Sequence, residues 1–303
     1  MFELLLLATI CLNIGCDVLD RRVSSRSDVR AMTLWTSILQ LLLVSPLIFR
    51  LSLPSPGQLL VLLVLGIVSS YAREKWYRAL SHSDEELSRF VPFVRLSGVM
   101  VLVLAVLVLG ERPSAVMAVG AVLMIGAGIL IGFERPGAGL GAFLHNNRAL
   151  ALVLVFATSN ALISVGYKHL LGQGLGIISV YFYLKLFQCL PLVARASFER
   201  TLLSGHREIV RRRLFLAARV MQTSAALLFL IVLSKRRLVW VEPMMAVSPF
   251  LVLAWEWVER RLSFFHPAPR AILAPGGRRR ALLLRISATL ATVTGFLLVH
   301  LKG

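Results

Sequence analysis

Acidic residues are scarce in this 303-residue chain, with 15 Asp and Glu against 33 Lys and Arg. Charge of either sign is thin as well, at 16% of residues, where a soluble domain carries about a quarter. There are three cysteines, Cys11, Cys16 and Cys189, and each falls inside an apolar run. That placement excludes a disulfide framework and leaves them as small core residues. No Asp-Asp-x-x-Asp, His-Glu-x-x-His or Gly-x-Ser-x-Gly motif occurs, which counts against a lipid transferase or hydrolase; no enzyme activity, cofactor or metal is expected. The first apolar run begins at Phe2 with no basic segment before it and no A-x-A site after it, so it reads as a retained helix rather than a signal peptide. No basic domain or tail stands apart to bind nucleic acid, so the net charge of +18 has to be explained otherwise.

Hydrophobic residues supply 57% of the chain. They gather in runs of about 18 to 22 residues, the length that crosses about 30 Å of hydrocarbon as a helix. Ten runs can be marked between charges, prolines and glycines, at about 2–19, 31–49, 58–80, 90–109, 114–133, 149–166, 177–194, 214–234, 238–258 and 281–300. The reading is an all-α integral membrane protein, and the excess of Arg belongs to its loops and to anionic headgroups.

The two halves echo each other. Asn13 aligns with Asn160 at an offset of 147, Gln40 with Gln188 at 148, and Glu111-Arg112 with Glu259-Arg260 at 148. Five spans is an odd number, so two similar halves must enter the membrane in opposite directions, as inverted repeats do in secondary transporters. The expected organisation is a first five-helix repeat over 1–137, a Gly-rich joint over 138–148 and a second repeat over 149–303.

The segment ALSHSDEELSRFVPFVRLSGVMVLVLAVLVLGERPSAVMAVGAVLMIGAGILIG, residues 79–132, resembles EamA-type members of the drug/metabolite transporter superfamily. The resemblance rests on Ala79-Leu80, Pro92, Gly110-Glu111-Arg112 and Gly120-Ala121-x-Leu123 with Gly126 and Gly128. The second half is similar but poorer, with Pro249, Glu259-Arg260 and Thr294-Gly295, and it carries the insertion HPAPRAILAPGGRRR. The resemblance implies ten helices, a cavity between the halves and transport without ATP, and it implies cytoplasmic termini. Counting Lys and Arg outside the 3–4 segment gives 18 on the odd-numbered connections and 7 on the even side, so the positive-inside rule places both termini outside a plasma or inner membrane.

Ionisable residues inside spans are costly and normally face a cavity or a partner. Lys185 stands mid-span among Tyr181, Tyr183 and Phe187, with Gln188 one turn on, and would hold an anionic or polar head. Arg95 and Arg219 reach a cavity or snorkel to headgroups; Glu242 opens the ninth run beside Pro243; Glu256 pairs with Arg260. Run 3 is too short unless the helix continues through YAREKWYRAL, which draws Arg73 and Glu74 inside, pairs Glu74 with Arg78, and leaves Trp76 and Tyr77 as interfacial aromatics. Ser83 and Glu86 form a capping box for the next helix, a simpler reading of His82 and Asp84–Glu86 than a metal cluster. Gly128 and Gly132 form a GxxxG pair suited to packing within the protein or between two copies of a homodimer. The candidate substrate-binding set is Lys185, Arg95, Arg73, Glu74, Glu242, Tyr181 and Gln188. Its basic excess predicts a secondary transporter of a small anionic or zwitterionic metabolite. The alternative is a flippase for a polyprenyl-phosphate or other lipid-linked head group; the partners are then a solute or a membrane lipid.

Overall fold

A computed structural model describes residues 2–24, 28–82, 94, 96–132, 148–198, 213–245, 247–248, 250–252, 254–255, 287–288, 290–295 and 297–298. Among the described residues there is no strand. The helices are α1 (Phe2–Ser24), α2 (Val29–Val44), α3 (Pro56–His82), α4 (Leu96–Leu109), α5 (Ala115–Gly132), α6 (Arg148–Gly172), α7 (Ile177–Phe198), α8 (Arg213–Lys235) and α9 (Leu238–Met245). Further helical residues lie among 248–255 and 287–298. Six of these segments are long and apolar enough to cross a membrane, in α1, α2 with the 3₁₀ turn after it, α3, α6, α7 and α8. Arg95, Pro92, Pro249, Glu256 and the capping box at Ser83–Glu86 lie outside the described residues, as does most of the joint.

Local chemistry sets the helix ends. Ser55 and Gln58 close a reciprocal cap at the start of α3, the Ser55 amide donating to Gln58 Oε1 at 2.9 Å and the Gln58 amide to Ser55 Oγ at 3.4 Å, with Pro56 in the first turn. From there α3 runs unbroken through YAREKWYRAL to His82. Gly174, at φ +84°, ends α6: its amide reaches Leu171 O at 3.1 Å and the Leu175 amide reaches Leu170 O at 3.2 Å, a Schellman closure that buries Leu170 against Leu175. Gly110, at φ +65°, turns the chain after α4 in the same hand.

The polarity of the molecule is inside out. Phe49 is 93% exposed and Leu53 90%, while Thr36, Gln40, Gln188, Asp20 and Arg219 are fully enclosed. That is the arrangement lipid demands, because its acyl chains accept apolar side chains but no unmatched polar group. The most extensive packing is α1 along α8 and α3 along α6, followed by α3 on α7, α4 on α6 and α2 on α7. Gly15 of α1 meets the Met221 methyl of α8, and Gly166 of α6 meets the Leu65 side chain of α3, so each of the two largest contacts closes over a glycine.

Candidate functional site

A cavity of about 150 Å³ lies among α1, α2, α3, α6, α7, α8 and α9. Its wall includes Lys185, Arg73, Glu242 and Tyr181, four of the seven residues singled out above, together with the amides Asn13, Gln40, Asn160 and Gln222. Phe156, Tyr167 and Phe229 complete an aromatic lining. Such a wall, with polar groups converging between aromatic and small apolar side chains, is a form that a small polar molecule can occupy. Glu242 is the one carboxylate among the described lining residues.

Lys185 is 5% exposed and lies eight residues from Ile177, about 12 Å along the axis, too deep to snorkel. Its Nζ donates to Gln188 Oε1 at 2.9 Å and sits 5.4 Å from the centre of the Tyr181 ring. Ser69 Oγ of α3 donates to the same Gln188 oxygen at 3.3 Å. Gln188 is thus a support for Lys185, tied to α3, and not itself part of the wall. The tie is short because Gly66 lets α3 approach the backbone of Phe187 and Gln188, and Pro191 frees the Phe187 carbonyl from its helical bond. Arg73 lies over the Tyr77 ring, 5.9 Å from its centre.

Glu74 departs from its expected place. It is next to Arg73 in sequence but points about 100° around the helix. There it pairs with Arg78 and with Arg195 of α7, the latter at 3.5 Å, and it does not line the cavity. Trp76 and Tyr77 are also not interfacial. Trp76 stacks on Phe156 with centroids 4.9 Å apart, and Tyr77 is 0% exposed.

Arg219 does not snorkel. It and Asp20 are both wholly buried and form an ion pair between α8 and α1. Arg219 also donates to Thr36 Oγ1 at 2.9 Å, Tyr77 Oη at 2.5 Å and Gln222 Oε1 at 2.8 Å. One guanidinium of the second half is therefore gripped by α1, α2 and α3 of the first. Gln222 joins this knot to the cavity: its oxygen faces Arg219 and its side chain lines the wall.

The opposite end of the bundle is held by different contacts. Ser52 and Ser179 share a hydroxyl contact at 3.0 Å, and Gln58 donates to Gln173 O at 3.5 Å. Glu111 accepts from the Leu238 and Val239 amides at 2.9 and 3.0 Å, capping α9 from across the halves. Lys168 donates to Leu233 O and Arg236 O, each at 2.8 Å, closing the other side of the same turn.

Asp20 escaped the sequence reading because LDRR looks like an ordinary helix end. Asn13, Gln40 and Asn160 were visible only as repeat markers, and that offset was the signal that could have placed them on a shared wall.

Residues 4–133 match the EamA-like transporter family. No curated protein matches the chain. A solved structure described as "Crystal structure of protein" matches over 100% of this chain and 99% of its own, with a TM-score of 0.63 at 14% identity, a likeness of fold alone.

Proposed function

Taking residues 4–133 as EamA-like transporter sequence of the drug/metabolite transporter superfamily, we propose that this multi-pass membrane protein is a secondary transporter of a small anionic or zwitterionic organic solute, and that the cavity beside Lys185 is its binding site. The observation that carries the reading is the pair Lys185 and Arg73. Both line one cavity, and among the described residues the partners found for them are an amide oxygen and aromatic rings rather than a carboxylate. Lys185 is buried and Arg73 half-buried; a buried cation held by neutral groups keeps most of its desolvation cost. A solute carrying a carboxylate or phosphate would relieve it.

Alternating access is supported by the way the halves meet. If α1 corresponds to α6 and α3 to α8, then α1 on α8 and α3 on α6 are one contact made twice, and α2 on α7 lies on the axis between them. The Arg219 knot lies toward one end of the bundle and the Ser52–Ser179 and Glu111 contacts toward the other. On this reading the two sets of contacts serve as gates that open in turn.

Melting of the purified protein with pooled small carboxylates, phosphates and zwitterions, repeated with Lys185→Ala, tests the site. A ligand that stabilises both proteins equally removes Lys185 from it. Flux of a water-soluble solute in reconstituted vesicles separates this reading from the flippase, which would move only lipid-linked cargo.

A further inference from the structure

The wall of this cavity contains a side chain whose hydrogen-bonding groups the protein leaves unanswered. Gln40 is 0% exposed, and neither its Nε2 nor its Oε1 has a partner among the described residues. The neighbouring amides are at least half answered: Gln222 Oε1 accepts from Arg219 at 2.8 Å, and Gln188 Oε1 accepts from Lys185 at 2.9 Å while its Nε2 is unmatched among the described residues. The hydroxyls close to Gln40 on α2 are satisfied within the fold, Ser37 by Thr33 O at 3.1 Å and Thr36 by Tyr77 and Arg219. A buried carboxamide unmatched on both atoms is expensive, and such groups in native proteins call for an explanation. Gln40 sits in the run LQLLLV, where another leucine would continue the apolar pattern at no such penalty.

We infer that Gln40 determines specificity by reading a donor–acceptor edge on the solute, an amide, ureide or lactam, while Lys185 and Arg73 hold that solute's anionic head. The inference rests on the cavity being the substrate site. A carboxamide presents one acceptor and one donor side by side, and its full complement is another amide-type edge, which returns both bonds. Water can answer the same atoms between turnovers. A solute that displaces that water with methyl groups cannot reproduce the bonds and binds more weakly.

The experiment uses two anions of equal length and shape: succinamate, which ends in a carboxamide, and 4-methylpentanoate, which ends in an isopropyl group. Dissociation constants are measured on the purified full-length protein. Succinamate is expected to bind about ten-fold more tightly. Gln40→Met should bring the two probes within about two-fold of each other, Gln40→Asn should retain part of the preference, and Lys185→Ala should weaken both probes alike. Equal binding of the two probes by the wild-type protein overturns the inference without any variant, and so does a preference that survives Gln40→Met. If neither probe binds but inorganic phosphate binds in a Lys185-dependent way, the role of Gln40 is refuted and the site stands. If no anion binds in a Lys185-dependent way, both readings fall.

Discussion

At the scale of single residues, the charges inside the bundle divide into those the fold pairs with an opposite charge and those the proposed solute would answer. Arg219 is answered. Replacing its partner, Asp20→Asn, strands a guanidinium in the core and is expected to cost about 3–5 kcal/mol. The double variant Asp20→Asn/Arg219→Met should recover much of that loss, as read from melting in detergent. A double variant no more stable than the single would show that the pair is not coupled. Lys185 was legible in the sequence because a lysine eight residues from either end of an apolar run has few explanations. Asp20 was not, since its burial depends on α2, α3 and α8 arriving from elsewhere in the chain. Glu74 shows the opposite limit: depth along a helix can be read from sequence, but the side it faces is settled by which neighbour packs there, here Arg195 of α7.

At the scale of elements, close helix approach rests on a few small residues. A side chain at Gly295 would meet the Gly120 carbonyl oxygen at 2.5 Å and Met124 Cγ at 2.6 Å, so Gly295→Leu should cost about 1–3 kcal/mol through forced separation from α5. An unchanged melting temperature would contradict that packing. Glu111, read in the sequence as part of the Gly-Glu-Arg signature, caps α9. Glu111→Ala is therefore expected to lose about 1 kcal/mol of stability, while Glu111→Gln loses less; equal losses would place the contribution in charge rather than in hydrogen bonds. The runs that form helices are well marked by their apolar length, as in α3, which continues through Arg73, Glu74, Lys75 and Arg78 while Trp76 stacks on Phe156 of α6 and Tyr77 meets Thr36 of α2 and Arg219 of α8. The destination of those positions was not marked, because a helix shows its neighbours all its faces and the sequence shows only their order.

At the scale of the whole molecule, the residues paired by the sequence offset, Asn13 with Asn160 and Gln40 with Gln188, fall at or beside one cavity. Three of those residues line the cavity and the fourth holds Lys185 in place. If the contacts at opposite ends of the bundle act as gates, as proposed, fixing either one stops transport. Ser52→Cys/Ser179→Cys places two thiols where the hydroxyls now stand 3.0 Å apart. Oxidation should abolish flux and reduction restore it; undiminished flux in the cross-linked protein would show that this end does not open. The charge bias of the sequence predicts the orientation: a reporter fused after Gly303 is expected to be active outside the cytoplasm. Cytoplasmic activity would reverse the assignment and favour the topology that the family resemblance implies.

The central claim is that a small organic anion crosses the membrane through the cavity at Lys185. The most direct measurement is uptake of pooled labelled carboxylates and phosphates by vesicles containing the purified protein, compared with Lys185→Ala at matched reconstitution and melting temperature. The account predicts saturable uptake by the wild-type protein that falls at least about ten-fold in the variant. Equal uptake by both proteins would contradict it.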